Sequence, residues 1–326
     1  MLSKRSMPAT GTTVNEMRNR KLLGNVLLLV TAMIWGTSFA FQRMGAQSLE
    51  PGVFNSTRML LAALAVTPLV FLGKGREVAD RAAFRKNTVL GGVLCGLCLA
   101  SATMLQQIGM MQTGAGKAGF ITAMYMLLVP ILNLILFRKR CPLIVWLAVA
   151  AGIAGMYLLC INEGFTITRG DGLICICALL FSFHIICCDR FVKNGNPVGM
   201  AAIQFYVTAF ISGVFSLLTE KPTWAAITAA AIPILFCGLG SGGIGYTLQI
   251  VAQKFTDPTV ASILMSLESV FAMQTGMLVL HEIPTLREAL GCVLMFAAIL
   301  AAQLPENKKT PPAQAPAPAA DAASDR

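Results

Sequence analysis

The chain has 326 residues, of which 56% are hydrophobic and only 12% charged, and its formal net charge is +10. A water-soluble domain carries about twice that share of charge, so the composition excludes a large soluble enzyme. The positive balance does not point to nucleic acid, because the basic residues fall between apolar runs, where they set orientation and meet anionic lipid head groups.

Residues 1–21 are basic, with Lys4, Arg5, Arg18, Arg20 and Lys21 ahead of the first apolar run. A basic region before an apolar run also describes a signal peptide. The run from Leu22 to Phe41 is long and nine more follow, so an uncleaved first helix is expected behind a cytoplasmic segment 1–21. A membrane helix needs about 20 mostly apolar residues to cross about 30 Å of hydrocarbon. Ten stretches meet that need: 22–42, 52–72, 88–110, 115–137, 142–161, 172–188, 197–218, 225–251, 258–280 and 286–304. They are near-continuous, unlike the alternating strands of a barrel, and in lipid each must pair its own backbone groups, as a helix does. The expected fold is an all-α membrane protein with ten transmembrane helices. Residues 305–326, rich in Pro and Ala, are expected to form a disordered cytoplasmic tail.

Within the spans, a few residues break the apolar pattern. In the first, Trp35-Gly36 is expected to break the helix in its outer half, with Trp35 too deep to be an interfacial anchor. Arg58 lies six residues into the second span, roughly 6 Å from the midplane at about 1.5 Å per residue. The third contains Gln106 and Gln107, the fourth Tyr125 and Pro130, the sixth His184, and the seventh Gln204 and Tyr206. The eighth contains Pro233, Tyr246 and Gln249 around 238-GLGSGGIGYT-247. Its first six residues match a dinucleotide fingerprint, which requires a preceding strand and a βαβ unit; a 27-residue apolar span excludes that. Glycines at this density let helices approach closely, and each proline removes a backbone donor. Pro130, Pro233, Gly238, Gly240 and Gly243 are therefore expected hinges. Glu268, in the ninth span, is the only carboxylate well inside any of them.

Most of the ten cysteines lie in or beside spans, where a thiol behaves as a small apolar group. A metal site needs Cys and His around one point, and Cys175 and Cys177 lie about 200° apart on a helix. No metal, disulfide or cofactor is expected, and no ATP-binding motif occurs.

With the N-terminus in the cytoplasm, nineteen Lys and Arg face the cytoplasm and five the other side. This asymmetry places both termini in the cytoplasm of a multi-pass protein of the cell (inner or plasma) membrane. The spans divide five and five, into repeats 22–161 and 170–304 joined by the polar link Asn162–Arg169. Because five is odd, the second must enter from the opposite face, giving two inverted five-helix repeats of the kind found in secondary transporters. Each ends in a small-residue helix, 148-AVAAGIAGMYLL-159 and 289-ALGCVLMFAAIL-300.

The segments 31-TAMIWGTSFAFQRMG-45, 52-GVFNSTRMLLAALAV-66, 114-GAGKAGFITAMYMLLVPILNLIL-136 and 258-PTVASILMSLESVFAMQTGMLVLHEIPTLREALGCVLMFAAIL-300 resemble the drug/metabolite transporter superfamily in its EamA-type, ten-helix branch. Glu268-Ser269 stands where that family often has Glu-Pro, and Arg138-Lys139-Arg140 where it often has an acidic residue. The resemblance implies a secondary transporter working by alternating access, more an exporter than an importer, and it strengthens Trp35 as a cavity wall.

The residues suggest a substrate. A charge at the position of Glu268 costs at least about 2.5–3.5 kcal/mol by insertion scales and needs an interior partner, so Glu268 is read as a proton-coupling or amine-binding group, or else half of a structural pair. Arg58 keeps its charge and can grip a carboxylate; alternatively it snorkels outward or pairs with Glu268 as a scaffold. His184 is a proton relay or a hydrogen-bonded core residue. Arg58, Trp35, Tyr125, Tyr246 and Gln249 are the expected substrate-binding residues, and Glu268 and His184 the expected coupling residues. Together they suit a small polar or amphipathic metabolite such as an amino acid. The expected partners are that substrate and membrane lipids, and no nucleic acid; a homodimer is left open. A channel or a structural membrane protein is the alternative. A membrane-embedded enzyme is disfavoured, because the two histidines, His184 and His281, lie far apart.

Overall fold

The computed structural model describes residues 14–72, 80–113, 115–160, 168–280 and 285–302, and all regular structure in them is helical. Three long helices come first: α1 (Val14–Ser48), α2 (Pro51–Leu72) and α3 (Arg81–Met110). The fourth window is split into α4 (Ala115–Ala123) and α5 (Tyr125–Phe137). Next come α6 (Leu143–Cys160), α7 (Arg169–Val192) and α8 (Pro197–Thr219). The eighth window comprises α9 (Trp224–Ala229), α10 (Ala231–Leu235), a π-helical segment Phe236–Tyr246 and α11 (Thr247–Gln253). The ninth is split into α12 (Pro258–Met265) and α13 (Glu268–Leu280), and α14 (Leu286–Ala302) follows. The expected tail and most of residues 1–21 lie outside the described residues.

Seven stretches are long and apolar enough to cross a membrane by length and composition: Arg18–Ser48, Pro51–Leu72, Arg81–Met110, Ala118–Phe137, Arg169–Val192, Pro197–Thr219 and Ala231–Gln253. The other three windows hold helix as well, but shorter or interrupted. Polarity is distributed as lipid requires. Leu64, Phe71, Phe210 and Leu218 face outward, while Asn55, Arg58, Gln106, Gln107, Gln204 and Gln249 are buried. Polar groups in spans turn to the bundle interior because hydrocarbon offers them no partner.

Several helix starts can be read directly from their residues. Asp80 accepts from the Ala83 N–H at the head of α3, and Asn196 accepts from Val198 and Gly199 at the head of α8, where Pro197 takes the first position. Thr168 and Asp171 form a reciprocal capping box on α7. In each case a side-chain oxygen satisfies backbone donors that the helix leaves over.

One expected break is corrected. Trp35-Gly36 does not break α1, which is continuous from Val14 to Ser48. Gly36 instead permits contact, since a β-carbon there would overlap the carbonyl oxygen of Glu268. Pro130 lies inside α5, and the interruption falls earlier, at Met124. Pro233 does sit beside a break, three residues after Ala230 and three before the π-helical segment.

The helices pair in a regular way. α2 packs on α8, α6 on α14, α3 on both α7 and α8, and α1 on α13. α1 and α2 pack on the π-helical segment, and α4 and α5 pack on α7. When the windows are numbered one to ten, each of these pairings has an image five positions away. One–nine matches six–four, three–six matches eight–one, three–seven matches eight–two, and two–seven and five–ten map onto themselves.

Candidate functional site

The two broken windows meet at the centre of the bundle. Aligned without gaps, 118-AGFITAMY-125 and 261-ASILMSLE-268 place Tyr125 opposite Glu268. Each is the first residue of the helix that resumes after the break, α5 and α13. At both breaks the chain tightens: Met124 N–H bonds the Ile121 carbonyl, Leu267 N–H the Leu264 carbonyl and Ser269 N–H the Ser266 carbonyl. These three-residue closures turn the following side chains out of the α-helical register. Tyr125 and Glu268 then face each other, and the Tyr125 hydroxyl donates to Glu268 Oε1 at 3.1 Å.

A cavity opens beside this pair. Glu268 and Tyr125 form part of its wall, with Thr122 and Gln106, whose Nε2 donates to Thr122 Oγ1 at 3.1 Å. α1 contributes Trp35, Ser38, Phe39 and Gln42, and α7 contributes Phe181 and Ile185. Ser241, Tyr246 and Gln249 close the wall from the π-helical segment and α11, and Arg58 enters from α2. The cavity volume is about 20 Å³. One water needs roughly 10–15 Å³, so the cavity as it stands has room for little more than one.

Arg58 is 2% exposed, so it does not snorkel. Its Nε donates to Asn55 Oδ1 at 2.9 Å and Nη1 to Gln42 Oε1 at 3.2 Å, and the guanidinium lies 5.1 Å from the centre of the Phe54 ring. Nη2 is buried without a partner. Among the described residues Arg58 and Glu268 form no ion pair, so the scaffold alternative is not realised. The guanidinium is held from one side by neutral acceptors, and part of its donor fork remains uncommitted.

Trp35 Nε1 donates to the Ser241 carbonyl at 3.3 Å, and its ring lies 4.6 Å from that of Tyr246. That approach depends on glycine, since a β-carbon at Gly245 would stand 2.6 Å from Trp35 Nε1. Gln249 Nε2 donates to Gln253 Oε1 at 3.2 Å, and its own Oε1 is unpartnered. Arg58, Trp35, Tyr125, Tyr246, Gln249 and Glu268 are thus brought into one cavity.

His184 is not. It stands one layer behind, edge-on to Tyr246 at 5.8 Å, with Nε2 2.9 Å from Gln204 Oε1. Tyr206 turns to the outer surface, where its hydroxyl meets Thr67 Oγ1 at 3.0 Å. Gly238, Gly240 and Gly243 lie in the π-helical segment; Pro130 and Pro233 are buried outside the cavity wall. Ser38, Gln42, Thr122 and Ser241 line the cavity without having stood out in the sequence. The available signal was a polar residue one or two turns from Trp35, Tyr125 or Tyr246.

Comparison with known proteins adds a family. The model of the EamA-like transporter family matches residues 22–161 and again 168–302. An uncharacterized transporter of Archaeoglobus fulgidus is 27% identical over 285 residues, 87% of each chain. The uncharacterized transporter YoaV of Bacillus subtilis is 20% identical over 277 residues, 83% of this chain and 94% of that one. A solved crystal structure superposes with a TM-score of 0.70 at 16% identity, over 88% of this chain and 97% of the other; that likeness concerns the fold alone.

Proposed function

Because the chain belongs to the EamA-like transporter family, we propose that this membrane transporter is a secondary carrier for a small zwitterionic or anionic metabolite of the amino-acid type. The observation that carries this reading is the central cavity, with a partly uncommitted guanidinium at Arg58 and a buried carboxyl at Glu268 in one wall. A guanidinium fork matches a carboxylate in shape and charge. A carboxyl in the same cavity suits an ammonium group, or a proton carried in its place.

The mechanism proposed is alternating access. The small cavity supports it, since a metabolite would need the surrounding helices to part. The exchange symmetry of the helix pairings supports two inverted five-helix repeats, which give two near-equivalent states, one open to each face. The reading includes ten spans, repeats at 22–161 and 170–304, and both termini in the cytoplasm, supported by the nineteen-to-five charge asymmetry. The direction proposed is export, on the family resemblance.

The test is purified protein in liposomes loaded with amino acids. Saturable flux that a trans-side excess accelerates supports a carrier. Flux that never saturates indicates a channel and removes the proposal.

A further inference from the structure

A second polar cluster lies behind the cavity, where α3, α7 and α8 meet. Cys95 on α3 and Cys188 on α7 place their Sγ atoms 3.5 Å apart, and both residues are fully buried. His184, one turn before Cys188, is equally buried, with Nε2 3.7 Å and Nδ1 3.9 Å from Cys188 Sγ. One ligand atom from each of the three lies within 4.8 Å of the other two. A tetrahedral zinc centre, with bonds of about 2.3 Å to sulfur and about 2.0–2.1 Å to nitrogen, spaces its ligand atoms roughly 3.5–3.8 Å apart. The Cys95–Cys188 and Cys188–His184 separations fall at or beside those edges, and the third pair lies within 4.8 Å.

The imidazole is also set up for this role. Nε2 faces Gln204 Oε1 on α8 at 2.9 Å. In the tautomer whose Nε2 donates to that amide oxygen, Nδ1 keeps a lone pair free for an ion. Metal-ligating histidines are oriented in the same manner, the second ring nitrogen donating to an outer partner.

We propose that Cys95, Cys188 and His184 form a binding site for a thiophilic divalent cation of the zinc class. On binding, both thiols lose their protons, the two thiolates and the neutral imidazole coordinate the ion, and two protons leave. No electrons are exchanged. Two negative charges meet two positive ones, so the loaded site adds no net charge to the membrane interior. Cys95 lies in the first match of the family model and His184 and Cys188 in the second, so the ion ties the two together. For a carrier whose halves must part, this is a clamp. That consequence rests on the carrier reading above; the site itself does not.

The experiment uses full-length protein in detergent, kept reduced with a phosphine, with Zn²⁺ and Cd²⁺ as probes. Expected are one ion per chain, two protons released per ion, and a thiolate-to-metal charge-transfer band with Cd²⁺. X-ray absorption of the zinc-loaded wild type should show two sulfur ligands and one imidazole. Cys95→Ala and Cys188→Ala should each weaken binding at least about 100-fold. Gln204→Leu should weaken it about 10–100-fold and keep the band. Zinc without sulfur neighbours in the wild type, or binding that survives both Cys95→Ala and Cys188→Ala, overturns the site. Zinc that binds as described yet leaves counterflow in liposomes unchanged overturns the clamp.

Discussion

Glu268 and Tyr125 hold equivalent positions in two matching segments, yet one is acidic and the other neutral. The two halves therefore bring chemically different side chains to the cavity at this position. Glu268→Gln keeps the size and the acceptor for the Tyr125 hydroxyl while removing the charge. The variant is expected to insert normally and to lose flux driven by a pH gradient, measured in liposomes with an internal pH dye; normal pH-dependent flux would assign Glu268 to structure. Arg58→Ala should cost a carboxylate-bearing substrate about 10–100-fold in affinity, because a hydrogen bond to a charged group is worth about 1.5–3 kcal/mol. It also strips donors from Gln42 and Asn55, a loss common to every substrate. A charge-varied panel of ligands separates the two effects, and equal loss across it would make Arg58 a scaffold. Both residues were legible from sequence because a charge in an apolar run is conspicuous. Ser38 and Thr122 were not, since a hydroxyl in a span commonly bonds its own helix, as Ser38 does to the Trp35 carbonyl at 2.9 Å. The Cys95–His184–Cys188 cluster was invisible because its members come from helices about 90 residues apart in sequence.

At the level of the helices, positions were legible and interruptions only partly so. Apolar length predicts a span well because lipid leaves the backbone no alternative. The breaks at Met124 and at Ser266-Leu267 carry neither Gly nor Pro, so no local rule marks them; they arise where two helices bring hydrogen-bonding side chains to a shared centre. The irregular eighth window was legible, since its glycines and Pro233 loosen any helix. Glycines within it have different roles. At Gly238 a β-carbon would stand 2.8 Å from Leu61 Cδ2 and 2.9 Å from the Arg58 carbonyl, whereas at Gly240 the nearest atom is 3.9 Å away. Gly238→Ala should destabilise by about 1–3 kcal/mol, the usual cost of overpacking, and lower the melting temperature in detergent. Gly240→Ala should be neutral or slightly stabilising, because alanine favours helix. Equal melting temperatures for the two variants would mean that α2 and the π-helical segment are not in close contact.

For the molecule as a whole, the helix pairings suggest where movement occurs. The α2–α8 and α6–α14 contacts map onto themselves under the exchange of halves, so in the proposed inverted repeat they would lie on its axis and persist in both states. The α1–α13 contact and its image, α4 and α5 on α7, are separate places. A carrier that opens alternately to each face must loosen one while the other holds. Thr37 on α1 and Thr275 on α13 mark the first of them, their hydroxyl oxygens 3.2 Å apart. Thr37 follows Trp35, and Thr275 follows Glu268, in the chain direction that leads away from the basic N-terminal segment and, in the ten-span reading, toward the face proposed as extracytoplasmic. A disulfide between cysteines at these two positions should therefore hold the outer gate shut. The variant Thr37→Cys/Thr275→Cys is expected to show counterflow near background when oxidised and to recover most wild-type flux on reduction, with each single variant unaffected by oxidant. If the cross-linked protein transports at the wild-type rate, α1 and α13 move as one body, and the halves do not part at this contact.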